Sequence, residues 1–309
     1  MAGCRHPAER AIPARPVATV AVPAALPLRL PPQPRLMVFA PHPDDEVLGA
    51  GGLIANLVAA HRPVRIVFFT NGDAYREAVV AVSHHRTPRR EDYYALGRRR
   101  EHEALEAAHR LGLPSSAVRF LGYPDDGLDD LWQAHWTSAY TSPYTREESA
   151  RYPDVLLPGA EYEGAELRWL VERVIARFDP NVIVFPHPAD THSDHQHAGY
   201  FVIEAVTSLQ ARRRLPPTTM LLSYVVHYPT WPLRRGPDKD VCQPDPRIAE
   251  TRWTSFELST EDLDAKTAAL DAHRTQLAVM GGFLRSFLCR NELFGVLDHA
   301  LLGRIAAVH

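Results

Sequence analysis

Cysteine is scarce in this chain. Its 309 residues include three, Cys4, Cys242 and Cys289. That number and spacing fit neither a disulfide framework nor a cysteine zinc site, and ordinary thiols are expected. Net charge is small, −3. A nucleic-acid binder would present a strongly basic face, and this composition does not suggest one. No apolar run reaches the ~20 residues that span a bilayer. No internal repeat and no domain-separating linker is visible. Hydrophobic residues make up 45% of the chain, enough for one large core.

Residues 1–34 are rich in Ala, Pro, Val and Arg and have no periodicity. They lack the charged and then apolar regions of a signal peptide. Met1-Ala2-Gly3-Cys4 resembles the tail of a lipoprotein cleavage site without its hydrophobic part. The expectation is a disordered or extended arm over 1–34 and a single domain over 35–309. A cytoplasmic location is expected, with an exported lipoprotein as the alternative.

Histidine is plentiful, with 16 in the chain. Several cluster next to short apolar runs. Residues 35–40 read as a buried strand, 47–61 as a helix and 63–70 as a second strand. Strand, helix, strand at this spacing is a βαβ unit, which implies a parallel sheet covered by helices. A basic polar loop over 71–88 follows, then a helix over 89–112 that stops at Leu111-Gly112. Further strands are expected at 118–121, 181–186 and 219–228. Helices are expected at 164–178, 195–212 and 261–277. Residues 123–160 break the pattern and read as a long functional loop. The fold class is α/β, a Rossmann-like three-layer arrangement with helices on both faces of a mostly parallel sheet. Gly49, Gly51 and Gly52 come too late for a dinucleotide fingerprint, so nucleotide binding is rejected.

Two polar clusters each follow a buried strand and precede a helix. The first is Pro41-His42-Pro43-Asp44-Asp45-Glu46, and the second runs from Pro186 to His195 as PHPADTHSDH. In an open parallel sheet such loops meet at the carboxyl ends of the strands. Imidazoles with a carboxylate suit zinc, and two histidines with one carboxylate leave a coordination position open. Fe²⁺ or Co²⁺ are possible substitutes. Taken singly, Asp44-Asp45 could merely cap a helix, but two such loops together point to a metal site.

The pairing of Pro-His-Pro-Asp-Asp-Glu with His-x-Asp-His resembles the PIG-L/LmbE family of zinc-dependent N-acetylglucosaminyl deacetylases, over about residues 35–212. The resemblance implies one zinc per chain on His42, Asp45 and His195. It implies Asp44 as the general base for the metal-activated water and His192 as the oxyanion-stabilising group, in its imidazolium form. Asp194 would orient one of the histidines. Arg100 and Asp125 would contact the sugar, with Asp126 adjacent to Asp125 in register. Glu46 supports the helix start, and His273 with Gln276 are structural. His187 and Asp190 are expected to line the pocket, and His197 competes with His195 for the ligand assignment. His84-His85 read as part of a flexible loop. Trp132, Trp136, Tyr140 and Tyr144 read first as core and second as sugar-stacking rings.

The implied activity is hydrolysis of an N-acyl group, most often N-acetyl, on a small amino sugar or glycoconjugate. Two alternatives stand beside it. One is a metallo-phosphoesterase with a two-metal site. The other is a metal-bound glycan-binding protein without turnover.

Overall fold

The computed structural model describes residues 25–234, 240–248 and 251–297. Most of the expected N-terminal arm, residues 1–24 with Cys4, lies outside them. An eight-stranded sheet runs through the molecule in the order β1 (Leu26–Pro27), β9 (Arg252–Glu257), β10 (Asn291–Val296), β6 (Met220–Tyr224), β5 (Val182–Pro186), β2 (Leu36–Ala40), β3 (Val64–Thr70), β4 (Val118–Tyr123). Its centre is β2, β3, β4, β5 and β6. These five pair in parallel, with Val38 opposite both Ile66 and Val184. Strands β2 and β5 are buried along their whole length. A parallel strand is covered on both faces, which is why both read as unbroken apolar runs.

The helices follow from the crossovers. From β2 the chain steps outward through α1 (Asp45–Ala59) to β3, then through α3 (Arg90–Arg110) to β4. It returns through α4 (Leu128–Gln133) and α5 (Gly164–Phe178) to β5, on the other side of β2. It then steps outward through α6 (Ser193–Ala211) to β6. Right-handed crossovers in opposite directions place α1 and α3 on one face and α5 and α6 on the other. The contacts agree: α5 packs with α6, while α1 and α3 both pack with α7 (Thr260–Leu270). The strand order reverses between β2 and β5, and the two histidine-bearing loops leave the carboxyl ends of those neighbours.

Several elements depart from the sequence reading. The loop over 71–88 contains a helix, α2 (Arg76–Ser83), whose Ala78 and Val79 pack on Leu96. The long loop over 123–160 contains α4, and its aromatics are largely packing residues. Trp132 meets Phe201 edge-on with ring centroids 5.0 Å apart, and Trp136 stacks on the same ring. Tyr140 is buried, while Tyr144 donates to Asp126. The strand expected over 219–228 ends at Tyr224. The late helix is two helices, α7 and α8 (Arg274–Arg285), because His273 leaves helical geometry to reach Glu46. Two strands, β9 (Arg252–Glu257) and β10 (Asn291–Val296), extend the sheet, with β10 antiparallel to β6 and β9. Part of the arm, β1 (Leu26–Pro27), pairs with β9 at the edge.

Helix α1 is broken at Ala50, whose φ of −147° lies outside helical geometry. The break frees backbone groups, and two distant side chains take them up. Lys266 donates to Leu48 O, and Glu292 accepts from the amides of Gly52 and Leu53 at 2.8 Å each. Lys266 and Glu292 also pair with each other at 2.7 Å, both buried. A buried charge is tolerated when it is paired and hydrogen-bonded like this.

The thiol reading is corrected at two positions. Cys242, in β8 (Cys242–Gln243), and Cys289, just before β10, form a disulfide with Cα atoms 5.8 Å apart. That spacing is ordinary for a bridge. Their 47-residue separation hid it, because only the sheet extension brings the two segments together. Asn291 accepts from Cys242 N and donates to Cys242 O, which fixes the segments side by side.

Candidate metal centre and pocket

His42 and Asp45 leave the end of β2, and His195 lies in the first turn of α6 behind β5. Asp45 Oδ2 is 3.2 Å from His42 Nδ1 and 3.1 Å from His195 Nε2. All three side chains are buried. An ion with bonds of about 2.1 Å in tetrahedral geometry separates its ligand atoms by about 3.4 Å, so this triangle is of the right size. His195 Nε2 is buried beside a carboxylate yet makes no directed hydrogen bond. A cation shared between them would satisfy both groups. The donor set therefore fits a divalent metal, and His, Asp and His together suit zinc. His197 does not join them. Its Nδ1 is 2.9 Å from its own helix's Ser193 O.

Each of the two histidines is faced by a second carboxylate. Asp194 Oδ2 lies 3.2 Å from His42 Nε2, and Asp190 Oδ2 lies 3.3 Å from His195 Nδ1. Such pairs fix the ring orientation and raise ligand basicity. Asp190 was expected only to line the pocket. It is instead buried in the wall, accepting the amides of His192, Val226 and His227. His187 is also in the wall, 2.8 Å from Thr251 Oγ1. Burial holds it near 4, only partly opposed by Asp190, so the imidazole is neutral at neutral pH.

Asp44 is the outlier. Its φ of 128° is unusual for a residue with a side chain. It occupies the N-cap of α1 but makes no capping hydrogen bond, so the capping alternative fails. The strained turn is held from outside. Glu46 Oε2 accepts the Asp44 amide at 3.0 Å, and His273 Nε2 faces Glu46 Oε1 at 3.3 Å. Arg100 donates to Pro43 O and Gly72 O at 2.7 Å each and lies 3.3 Å from Asp44 Oδ2. Arg100, expected on the sugar, is thus largely engaged in clamping this loop. Gly72, at φ 66°, has no room for a Cβ, which would sit 2.3 Å from the guanidinium. Burial pushes Asp44 up to about 7, against the pull of Arg100. Asp45 behaves oppositely. Burial disfavours its charge, but His195 and then His42 hold it well below the carboxylate range.

Asp125 sits 3.0 Å from His42 Nε2, and its other oxygen accepts the Ala74 amide. It lies against the metal loop as well as on the pocket surface. The cluster of His42, Asp125 and Asp194 resembles a second cation site. It reuses His42, however, and Asp194 already accepts the amides of Asp126 and Leu128 at 2.7 and 3.0 Å. That arrangement is a brace on His42.

His192 borders the pocket. Its Nδ1 accepts the Asp194 amide at 3.2 Å, so the neutral ring carries its proton on Nε2. Burial, with His42 and His195 close by, holds it near 4. The imidazolium form expected of His192 is opposed by this burial. The cavity above these groups has a volume of about 310 Å³. Residues the sequence reading did not single out complete it, among them Tyr75, Val226, His227 and Phe283. His227 packs 4.7 Å from His195 and 5.0 Å from His192, ring to ring. Its position after β6, next to a His-bearing β5 loop, was the one available signal. His84 and His85 lie away from this site, with His85 on Asp92 at the surface.

The family described as PIG-L, GlcNAc-PI de-N-acetylase, matches residues 37–206, which hold all three candidate ligands. The chain belongs to the PIG-L family. A 1D-myo-inositol 2-acetamido-2-deoxy-alpha-D-glucopyranoside deacetylase of Saccharomonospora viridis is 31% identical over 251 residues, 77% of this chain and 83% of its own. A like-named enzyme of Mycobacterium sp. (strain KMS) is 25% identical over 259 residues, 80% and 75% of the two chains. Among solved structures, N,N'-diacetylchitobiose deacetylase from Pyrococcus horikoshii superposes with a TM-score of 0.54 at 18% identity. It covers 85% of this chain and 83% of its own. That likeness bears out the α/β PIG-L fold. No helix among the described residues is long and apolar enough to cross a membrane.

Proposed function

We propose that this PIG-L protein hydrolyses an N-acyl group, N-acetyl in the simplest case, on a small amino sugar or glycoconjugate, with one zinc ion on His42, Asp45 and His195. One observation carries the reading. A strained carboxylate, Asp44, stands uncommitted to helix capping beside a buried His–Asp–His triangle, at the floor of a pocket. When bound, the ion would polarise the amide carbonyl and acidify an attacking water.

The chain's own groups do the rest. Asp44, raised toward neutrality by burial, accepts the proton of the attacking water at its carboxylate. His192, neutral and protonated on Nε2, offers that N–H to charge developing on the carbonyl oxygen. The water oxygen ends in the carboxylate product, the C–N bond breaks, and Asp44 returns the proton to the leaving amine. Asp194 and Asp190 hold His42 and His195 in orientation. Asp125 and Asp126 form the polar side of the pocket, on which sugar hydroxyls find partners. Arg100 positions Asp44.

The relatives' names support the substrate class, since those proteins are named as deacetylases of N-acetylated sugars. A two-metal phosphoesterase is disfavoured, because the second acidic cluster shares His42 and is occupied by backbone amides. The Cys242–Cys289 bridge favours the exported alternative over a cytoplasmic location. Metal analysis combined with an acetate-release screen over N-acetylated sugars tests the reading. Two ions per chain with phosphate release and no acetate would overturn it.

A further inference from the structure

The pocket has two unlike walls. One is polar, with Asp125 and Asp126. The other is mainly apolar, built by Leu48, Val226 and, from α8, Met280, Phe283 and Leu284, with Gln276 of the same helix adding an amide. The apolar wall begins one ring away from the metal triangle. Phe283 stacks on His227 with centroids 5.6 Å apart, and His227 meets His195 edge-on. Phe283 and Met280 are only half-buried, so they present apolar surface to the cavity. An acetyl methyl alone would leave most of that surface wet. Apolar surface facing a cavity marks a place where ligand is bound.

From this we infer that the apolar wall is an acyl-chain subsite, and that the preferred substrate carries a medium-length N-acyl chain rather than acetyl. The inference rests on the amide-hydrolase reading above. At the reacting carbonyl carbon, the acyl chain and the sugar-bearing nitrogen leave in different directions. Sugar hydroxyls need hydrogen-bonding partners, which the polar wall offers. The chain therefore takes the side of Leu48, Val226 and α8.

The wall is also built to adjust. Helix α8 leaves helical geometry at Met280, with φ −137° and ψ 26°. Gly281 and Gly282 follow, and a Cβ on Gly282 would meet nothing within 4 Å. Two glycines weaken a helix, and no close packing requires them here. Together with an unbranched, flexible methionine they let the wall shift to fit chains of different length.

Two measurements test this. The first is kcat/KM of the zinc-loaded enzyme, by free-amine release, for N-acetyl-, N-butyryl-, N-hexanoyl- and N-octanoylglucosamine. Each methylene buried in an apolar site is worth about fourfold. Hexanoyl should exceed acetyl by at least ~10-fold after part of that is lost to incomplete burial. Within Met280→Gln and Phe283→Ser enzymes the hexanoyl-to-acetyl ratio should collapse toward unity, a comparison internal to each variant. A flat or falling series with acetyl turned over, or a ratio that survives both substitutions, overturns the subsite and leaves the deacetylase reading standing. The second measurement is calorimetric binding of hexanoate and acetate, the two product anions, to the zinc-loaded protein. Hexanoate should bind at least ~10-fold more tightly. Tighter hexanoate with no amide turned over keeps the subsite and sinks the hydrolase reading. Equal affinities overturn the subsite.

Discussion

Asp190 Oδ2 faces His195 Nδ1 at 3.3 Å, and neither side chain has any exposed surface. This carboxylate also gathers the amides of His192, Val226 and His227, so one residue ties the β5 loop to the segment after β6. Asp190→Asn removes the charge that supports His195. Zinc affinity, measured by competition with a chromogenic chelator, should fall about 10- to 100-fold. An unchanged affinity would show that Asp190 is merely a loop tie.

Asp44→Asn should spare the metal and remove turnover. Asparagine tolerates positive φ and matches the shape of aspartate, so the strained turn survives. Loss of a proton acceptor should cost about 10²- to 10⁴-fold in kcat. Zinc content by mass spectrometry should stay at one per chain. Turnover close to wild type would remove Asp44 from the mechanism.

Glu101 offers a pH test away from the metal. It is buried, its Oε1 has no partner, and its Oε2 accepts from Asn71 at 3.2 Å. Burial, with Asp154 nearby, raises it to about 7. The folded state therefore keeps this proton longer than the unfolded chain. The stability linked to it is complete below the ordinary carboxylate range and is lost as pH rises toward 7. Glu101→Gln mimics the protonated acid. Its melting temperature should exceed wild type at about pH 8 and match it at about pH 4. The opposite order at the two pH values counts against the assignment.

The Cys242–Cys289 bridge closes a loop with a sequence separation of 47. The non-reduced, unfolded protein should show no reactive thiol from either residue. Serine at both positions should cost roughly 2–4 kcal/mol of stability, read from chemical denaturation. Reductant should lower wild type to the level of the variant and leave the variant unmoved. Three free thiols, Cys4 included, in unfolded protein prepared without reductant would contradict the bridge.

The sequence displayed the site more fully than the frame around it. The two clusters holding His42, Asp45 and His195 were legible because each follows a continuous apolar strand, and such strands adjoin at a switch point, while the choice of these three within them came from the family resemblance. The bracing of those residues was less legible. Asp194 was expected to orient a histidine but not assigned to His42, and Asp190's role depends on which ring nitrogen faces which loop. Strands β9 and β10 escaped notice because RWTSFE and NELFGV show neither strict alternation nor an unbroken apolar run, and they depend on each other for pairing. Helix α2 is short, and its small apolar face shows only against Leu96. Arg100 looked like a sugar contact in a run of arginines. Only the folded chain shows Pro43 O and Gly72 O waiting for it.

The interruption of α1 at Ala50 has a consequence for biosynthesis. The first two metal ligands are among the early residues a ribosome delivers, yet the helix behind them is completed by a carboxylate 240 positions downstream of Gly52. A nascent chain that has not reached Glu292 carries Asp45 at the start of a helix with two amides unanswered, and Lys266 without its counter-charge. The broken helix behind the candidate metal site is therefore complete only once β10 has been synthesised.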